Sequence, residues 1–481
     1  MWTQCPPRLT LNNMESRHCI LRRPAQTPML RKPDSDEYRS AVRIVGALQD
    51  GGYRTMMAGG CVRDMLLGRK PKDYDIATEA RPRKVNQFFD RTVEVGRQFG
   101  VMRVLLDGRE YEVATFRSES DYTDGRHPDR VEFCAPKKDA QRRDFTINGM
   151  FWDPVREEVI DHVGGREDLR RGIVRTIGEP RDRFREDHLR LLRAIRFAAR
   201  LGFELEHETR AAVEELAPLV LDVAPERLAQ EMEVILTDEH PAGALKLMDK
   251  TGLLTRIFPE LAEMKGCEQP NNYHPEGDVF VHTLLAVDKL GRHPDFELAL
   301  GTLLHDVGKP EAARREGPCN FRNHTKIGER MARRVCERLR LSNRQTERVC
   351  WLVRWHLYFK DAKKMKDSTL KRLFAKDGFE QLAELHRADS LASWANLELY
   401  NYVLQKRDGM PEESIEPPRL ITGDHLIERG YQPGPAFGEI LSEVRESQLE
   451  GEISTREEAL QLAERVAHRI GAPRQDDQDM S

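Results

Sequence analysis

The stretch from Tyr53 to Asp75, YRTMMAGGCVRDMLLGRKPKDYD, sets the tightest limits on what this chain can build. An apolar run to Ala58 reads as a strand, and Gly59-Gly60 then let the backbone approach a phosphate with no Cβ in the way. A helix is expected next. Its first turn, Val62 to Met65, would aim free N–H groups and the positive end of the helix dipole at an anion, with Arg63 adding a charged fork. The chain then returns as a strand carrying Asp73 and Asp75, and the two-residue period puts both carboxylates on one face. Paired hard oxygens beside a phosphate cradle suit Mg²⁺ and phosphoryl or nucleotidyl transfer. Taken alone, D-x-D is equally the mark of a turn with two solvated aspartates.

Four further segments follow in order: RRDFTINGM (Arg142 to Met150), DHVGGREDL (Asp161 to Leu169), EDHLRLLRAIRFAARLGF from Glu186, and ERLAQEMEVIL from Glu226. With the glycine–aspartate segment they make five motifs, and from about residue 38 to 265 the chain resembles the bacterial and eukaryotic tRNA nucleotidyltransferase and bacterial poly(A) polymerase family. The resemblance implies that Glu112, in the strand-like YEVATFR, is a third metal carboxylate beside Asp73 and Asp75. It implies too that Gly60, Arg63, Arg143, Asp187, Arg190, Arg193 and Arg196 contact an incoming nucleotide. Gly149 stands where the family more often has alanine, and it is expected to loosen the local helix slightly.

The fourth motif has a physical reading of its own. Asp187 and Arg190 lie three apart in a strongly helical stretch, so their side chains are expected to meet on one face. The carboxylate accepts and the guanidinium donates. Cytosine and adenine both offer an amino donor beside a ring-nitrogen acceptor, whereas guanine and uracil offer the reverse, so such a pair would take CTP and ATP without a template. A wrong base leaves buried groups unpaired at about 1–3 kcal/mol each. Arg193, Arg196 and Arg200 would continue a basic stripe. A solvated ion pair on a helix is the plainer alternative.

Downstream, His282, His305-Asp306 in LLHDVGKP, His324, His356 and Asp389 form a set that resembles the HD metal-dependent phosphohydrolase domain. The resemblance implies a divalent metal there; imidazole and carboxylate ligands suit Mn, Fe, Ni or Co, and admit Mg through aspartate and water. Bound metal would activate water against a phosphoester, unless the ligands persist only as structural staples. His274 is a weaker candidate ligand. Any single histidine of the set is more simply a packed core residue.

The 481 residues allow about three domains. With 77 basic and 81 acidic residues there is no global positive field, so RNA must be met by local surface such as the arginine-rich stretches 170 to 200 and 330 to 348, each of which serves equally well as a solvated helix face. Eight cysteines without a CxxC pair argue against a zinc ribbon or disulfide framework. No apolar run reaches the roughly 20 residues that span a bilayer, and the N-terminus lacks a signal-peptide core, so a soluble cytoplasmic enzyme with no membrane partner is expected.

The expected fold class is α+β: a small nucleotidyltransferase head of sheet and helix, then a large all-helical region that includes the HD domain. The layout is a disordered extension over 1–34, a head over 35–175, a helical neck that binds nucleotide and RNA over 176–265, the HD domain over 266–400, and a helical tail over 401–481 that contacts tRNA. The extension reads as a mitochondrial presequence or as the product of a start placed upstream of Met14 or Met29. SDEYRSAVRIVGALQDGGY reads as a capped helix ending at Gly51-Gly52, with strands to about 135, helices after 144 and little but helix from 180. The expected activity is Mg²⁺-dependent addition of CCA, from CTP and ATP, to the 3′ end of tRNA. A poly(A) polymerase or an enzyme adding only the terminal adenosine is the near rival, which the loop Arg117 to Phe133 disfavours by resembling complete CCA-adding members. The rival of another class is an RNA-binding HD phosphohydrolase.

Overall fold

The computed structural model describes residues 30–95, 100–120, 130–270 and 277–473. The loop 121–129, His274 and both candidate start methionines lie outside them. Helix α1 (Asp36–Asp50) forms as the sequence dictates: Ser35 accepts a hydrogen bond from the Tyr38 N–H, Asp36 and Glu37 face the positive dipole end, and Tyr38, Ala41, Ile44, Val45 and Leu48 bury one face. Gly51 caps its far end.

The head is one mixed sheet. Its strands are β1 (Thr55–Ala58), β2 (Asp75–Thr78), β3 (Thr92–Glu94), β4 (Val101–Leu106), β5 (Arg109–Thr115), β8 (Met150–Asp153) and β9 (Glu158–Asp161), in the order β3-β4-β5-β2-β1-β8-β9; β6 (Arg117–Ser120) and β7 (Arg130–Phe133) make a separate ribbon. The sequence reading missed β8 and β9 by turning to helices after 144. The cause is local: all four residues of β8 are buried, so MFWD carries no alternation to betray a strand. Gly149 ends a 3₁₀ turn, Thr146–Asn148, ahead of β8 rather than lying within a helix, and a Cβ there would come within 2.7 Å of Val163 and 2.9 Å of Ile177. The glycine therefore fills a tight seam instead of loosening one.

Between β1 and β2 lies α2 (Gly60–Leu66). From residue 180 the chain is helical, save for the short strand Glu204–Leu205 that pairs with Ile173–Val174. The neck holds α3 (Pro180–Glu186), α4 (Arg190–Leu201) and α5 (Pro225–Leu236). Next come α6 (Val279–Asp288), α7 (Phe296–Leu304), α8 (His324–Arg338), α9 (Asn343–Trp355) and α10 (Phe379–Ala392), with α6 and α7 buried nearly all round. Helix Glu398–Asp408 joins this body, burying Val403 with Leu352, Phe359 and Phe379.

The last helices, α11 (Pro435–Glu450) and α12 (Arg456–Ile470), close a core of their own around Leu426, Ile440, Val444 and Val466. They meet the body where Ser368 Oγ donates to Glu446 and Lys371 Nζ to the Leu449 carbonyl. Among the described residues no helix is long and apolar enough to cross a membrane.

Candidate active sites

The β1–α2 bend depends on one backbone conformation. Gly59 sits at φ 78°, ψ −133°, which a residue with a side chain rarely adopts, and a Cβ there would lie 3.0 Å from Arg143 Nη1 and 3.8 Å from Asp75 Oδ2. Helix α2 begins at Gly60 itself, two residues earlier than expected. Register then assembles the acids. Ala58 pairs with Asp75 across antiparallel β1 and β2, and Ile76 pairs with Val113 across parallel β2 and β5, so Asp75 and Glu112 stand side by side on one face. Asp73 lies two residues ahead of β2, in the turn rather than the strand.

Solvent reaches Asp75, yet the crowded surround and the neighbouring carboxylates of Asp73 and Glu112 push it up to about 6, with Arg143 acting in the opposite direction. Three carboxylates converge beside the diglycine bend with one guanidinium to offset them. Cys61, one residue further on, is fully buried; burial first and then Asp75 push its thiol up to about 12, which makes it inert.

The arginines divide into two groups. Arg143 donates to Asp139 through Nε and Nη2 and turns Nη1 toward Gly59. Arg63, Arg193 and Arg196 are instead drawn inward around Phe197, at 5.2, 5.4 and 4.5 Å from its ring centroid. Arg63 is buried, bonding Asp64 and Asn148; Arg193 clasps Asp144 at 2.9 and 2.5 Å; Arg196 bonds Glu231. What looked like a continuous basic stripe is a seam: Asp144 comes from the RRD segment of the head and Arg193 from α4 of the neck.

Burial opposes ionisation of Asp144, but Arg193 and the Asn148 amide hold it down at about 2. Because its folded value lies below the usual 3.8, this pair's stability is present above that pH and is lost as pH falls through about 2. Asp144→Ala should cost about 3 kcal/mol, the low end for breaking a buried pair because Arg193 stays partly solvated. Urea unfolding at pH 7 measures it, and an unchanged midpoint would remove the seam from the stability account.

Asp187 and Arg190 correct the sequence reading. They do not meet. Asp187 is extended backbone at the end of α3 and Arg190 is the first residue of α4; in the turn between the helices the Arg190 N–H donates to the Asp187 carbonyl at 3.0 Å, while the two side chains go to other partners. Arg227, on α5, holds Asp187 with two bonds of 3.2 and 3.0 Å, while Arg190 bonds Glu186 and the Arg183 carbonyl. Arg227 lies in the fifth motif, ERLAQEMEVIL, whose pattern alone does not show its pairing with Asp187.

The histidine–aspartate set comes together from α6, the end of α7, the start of α8, the end of α9 and α10. The Nδ1 atoms of His305, His324 and His356 lie 2.7, 2.7 and 2.9 Å from the carbonyls of Thr302, Phe321 and Val353. A carbonyl can only accept, so each Nδ1 donates to it and Nε2 is the nitrogen turned toward the cluster. Around Asp306 the Nε2 atoms of His305, His324 and His356 stand at 3.3, 3.5 and 3.7 Å, and His282 Nε2 is 2.9 Å from Asp389. His282, His305 and Asp306 form one possible ligand triad; Asp306, His324 and His356 form a second.

Burial, then neighbouring His305, drives His356 down to about 3, so its ring is neutral at pH 7. Burial works against the Asp306 carboxylate, yet His305 and Lys309 hold it well below the usual range. Lys309, which the sequence reading passed over inside LLHDVGKP, is buried and donates to Asp306 Oδ2 at 2.6 Å and to Gln269. Gly308 lets this corner close on α8, since a Cβ would lie 2.2 Å from the His324 carbonyl. His305 Nε2 and Asp306 Oδ1 are buried with no hydrogen bond among the described residues. In a folded protein such atoms are rare, and a cation satisfies both.

Comparison with known proteins matches three family models in sequence. They are the poly A polymerase head domain over 55–175, the probable RNA- and SrmB-binding site of polymerase A over 202–265, and the HD domain over 279–413. The CCA-adding enzyme of Bacillus pumilus is 44% identical over 228 residues, 47% of this chain and 56% of that one. That of Lactiplantibacillus plantarum is 42% identical over 234 residues, 48% of this chain and 56% of that one. The aligned segment thus spans little more than half the length of the curated relatives. Among solved structures, the Bacillus stearothermophilus CCA-adding enzyme in complex with CTP covers 91% of this chain and 99% of its own, at 29% identity and a TM-score of 0.66. The Thermotoga maritima CCA-adding enzyme complexed with tRNA-CCA covers 91% and 97% at 21% identity and 0.56, a likeness of fold.

Proposed function

We propose, for a chain that belongs to the tRNA nucleotidyltransferase and bacterial poly(A) polymerase family and carries an HD domain, that it adds cytidine and adenosine from CTP and ATP to the 3′ end of tRNA. The observation that carries this is the convergence of Asp73, Asp75 and Glu112 on the Gly59 bend, with Arg143 Nη1 beside them. Three mutually repelling carboxylates with one nearby cation fit Mg²⁺, and Asp73, Asp75 and Glu112 would hold it. Bound there, divalent cations would supply the Lewis acidity to lower the pKa of the RNA 3′-hydroxyl and offset charge on the α-phosphate. Gly60 and the α2 amides then face the triphosphate, and Arg143 neutralises it. Arg63, Arg193 and Arg196 act from behind, holding the neck against the head so that the base-reading edge stays registered with the reacting phosphate.

Asp187 and Arg190 are the base-reading pair in this proposal, each fixed by its own partner, Arg227 and Glu186, and so presented separately. Asp187→Ala should narrow the preference for ATP over GTP about 5- to 150-fold, the effect of about 1–3 kcal/mol. Competing single-turnover incorporation reads it, and an unchanged ratio would take Asp187 off the reading edge. The layout proposed is a head to about 175, a neck to about 265, an HD body and a helical tail, acting on tRNA in the cytoplasm.

We assign the HD cluster a divalent metal held by His282, His305, Asp306, His324, His356 and Asp389, serving hydrolysis of a phosphoester. Imidazoles with their outer nitrogens tied to carbonyls and their inner nitrogens turned toward Asp306 support it.

One incubation tests the whole reading: the protein with tRNA lacking its last three nucleotides, Mg²⁺, and labelled CTP and ATP singly and together. Addition of two C and one A is expected. A alone, or a long A tract, would move the activity to polyadenylation or terminal-adenosine addition; phosphate release without addition would leave only the HD domain active.

A further inference from the structure

Beside the HD cluster lies a surface whose charges the folded chain does not need. Lys326, Arg330 and Arg334 are exposed on α8 at four-residue spacing, and so stack on one face about 6 Å apart. None of the three makes an ion pair among the described residues, whereas their neighbours Arg333, Arg338 and Arg354 each face a glutamate. Like charges at this spacing repel, so the stripe works against its own helix until a polyanion covers it.

Two members of the stripe, Lys326 and Arg330, line a groove of about 640 Å³ together with Arg315, Arg333, Arg354, Glu316 and Glu329; Arg315 is paired with Glu311 and Arg333 with Glu347, which leaves Lys326 and Arg330 as its uncompensated cations among the described residues. Glu329 is already matched by Arg354. Aromatic surface adjoins it. The Arg354 guanidinium donates to Thr325 Oγ1 and lies 5.3 Å from the ring centroid of Trp355, which is 39% exposed and meets Tyr358 edge-on at 5.2 Å. Asn323, which lines the groove, precedes His324, and Arg354, which lines it too, stands two residues before His356, so the groove lies close in sequence to two candidate metal ligands.

We propose that this groove docks a single-stranded RNA end, phosphates along the α8 stripe and an unstacked base on Trp355, which would give the HD site a polynucleotide as its substrate class. Positive groove plus exposed aromatic is the combination that takes single strands, because a duplex keeps its bases stacked on one another and an acidic peptide has no use for the ring. The inference rests on the HD metal reading for the fate of the strand. Docking itself uses no metal.

The test therefore uses the full-length chain stripped of metal with EDTA, and a twelve-nucleotide RNA carrying 4-thiouridine. Cross-links to Trp355 or Tyr358 are expected, in addition to any on the head and neck. The triple variant Lys326→Glu/Arg330→Glu/Arg334→Glu should lose them at least about tenfold, and the slope of log affinity against log salt should fall by about 2, near 0.7 per phosphate contact. Trp355→Ala, which leaves every charge in place, should weaken RNA but not inorganic polyphosphate. Cross-links confined to the head and neck, an unchanged salt slope in a triple variant that melts like the parent, or competition by duplex RNA or a polyglutamate peptide as strong as by single strands would overturn the proposal. Docking that persists while no phosphate is released on adding metal would count against the hydrolase reading alone.

Discussion

Asp75→Asn should be almost inactive and, at neutral pH without divalent cations, more stable than the parent. Activity falls because a neutral amide offers one weak oxygen where the site needs charge. By comparison with removing a single preorganised electrostatic contact, the loss should be about 10³-fold or more in single-turnover CMP incorporation. Stability moves the other way because of where Asp75 sits. Its folded value, about 6, lies above the ordinary 3.8, so between those values the native state binds more protons than the unfolded chain. The stability it contributes is full below about 3.8 and is lost as pH rises through about 6. Asparagine never ionises, so the variant's melting temperature should lack that decline, and Mg²⁺ should raise the parent's melting temperature more than the variant's. Substantial addition by Asp75→Asn, or parallel pH profiles for the two proteins, would break the link between the acid cluster and transfer.

The parts of this molecule visible in the sequence are those set by short-range rules. Ser35 and the spacing of Ile44, Val45 and Leu48 give α1, and Gly59 gives the bend; the two-residue period expected for Asp73 and Asp75 fails because β2 starts at Asp75, and the register of β2 with β5 is what brings Glu112 beside Asp75. Pairing across the chain was not visible. That Asp187 would turn to Arg227, 40 residues on, depends on how α3 and α5 cross, and no local pattern encodes a crossing. The arginines of α4 point inward for the same reason. Phe197 draws three guanidiniums and Asp144 selects one, and the helical period shows the row but not the buried acid beneath it. Strand β8 failed differently, since burial of every residue erases the alternation on which a strand reading depends. In the HD body the ligand types were legible, while Lys309 was hidden by being a lysine, a residue seldom buried unless paired.

The HD cluster gives the second large effect, and its design must separate metal loss from unfolding. Asp306 belongs to both ligand triads, so Asp306→Asn should abolish binding of Mn²⁺ or Co²⁺ at this cluster and leave only the binding at the head, whereas His324→Gln touches one triad and should spare the other. Asp306 is also the carboxylate partner of buried Lys309, and removing one member of such a pair strands the other charge at about 3–5 kcal/mol. Asp306→Asn/Lys309→Met removes both charges and should recover most of that loss without recovering metal. Calorimetric titration of the EDTA-stripped proteins gives the stoichiometry. Thermal melting gives the linkage: metal at a hundred times its Kd stabilises the parent by about 2.7 kcal/mol, a rise of roughly 5–10 °C in the transition of a domain this size. If the double variant binds Mn²⁺ as the parent does, or if the parent melts at one temperature with and without the ion, the buried His305 and Asp306 atoms are packing features and the assigned hydrolysis has no centre.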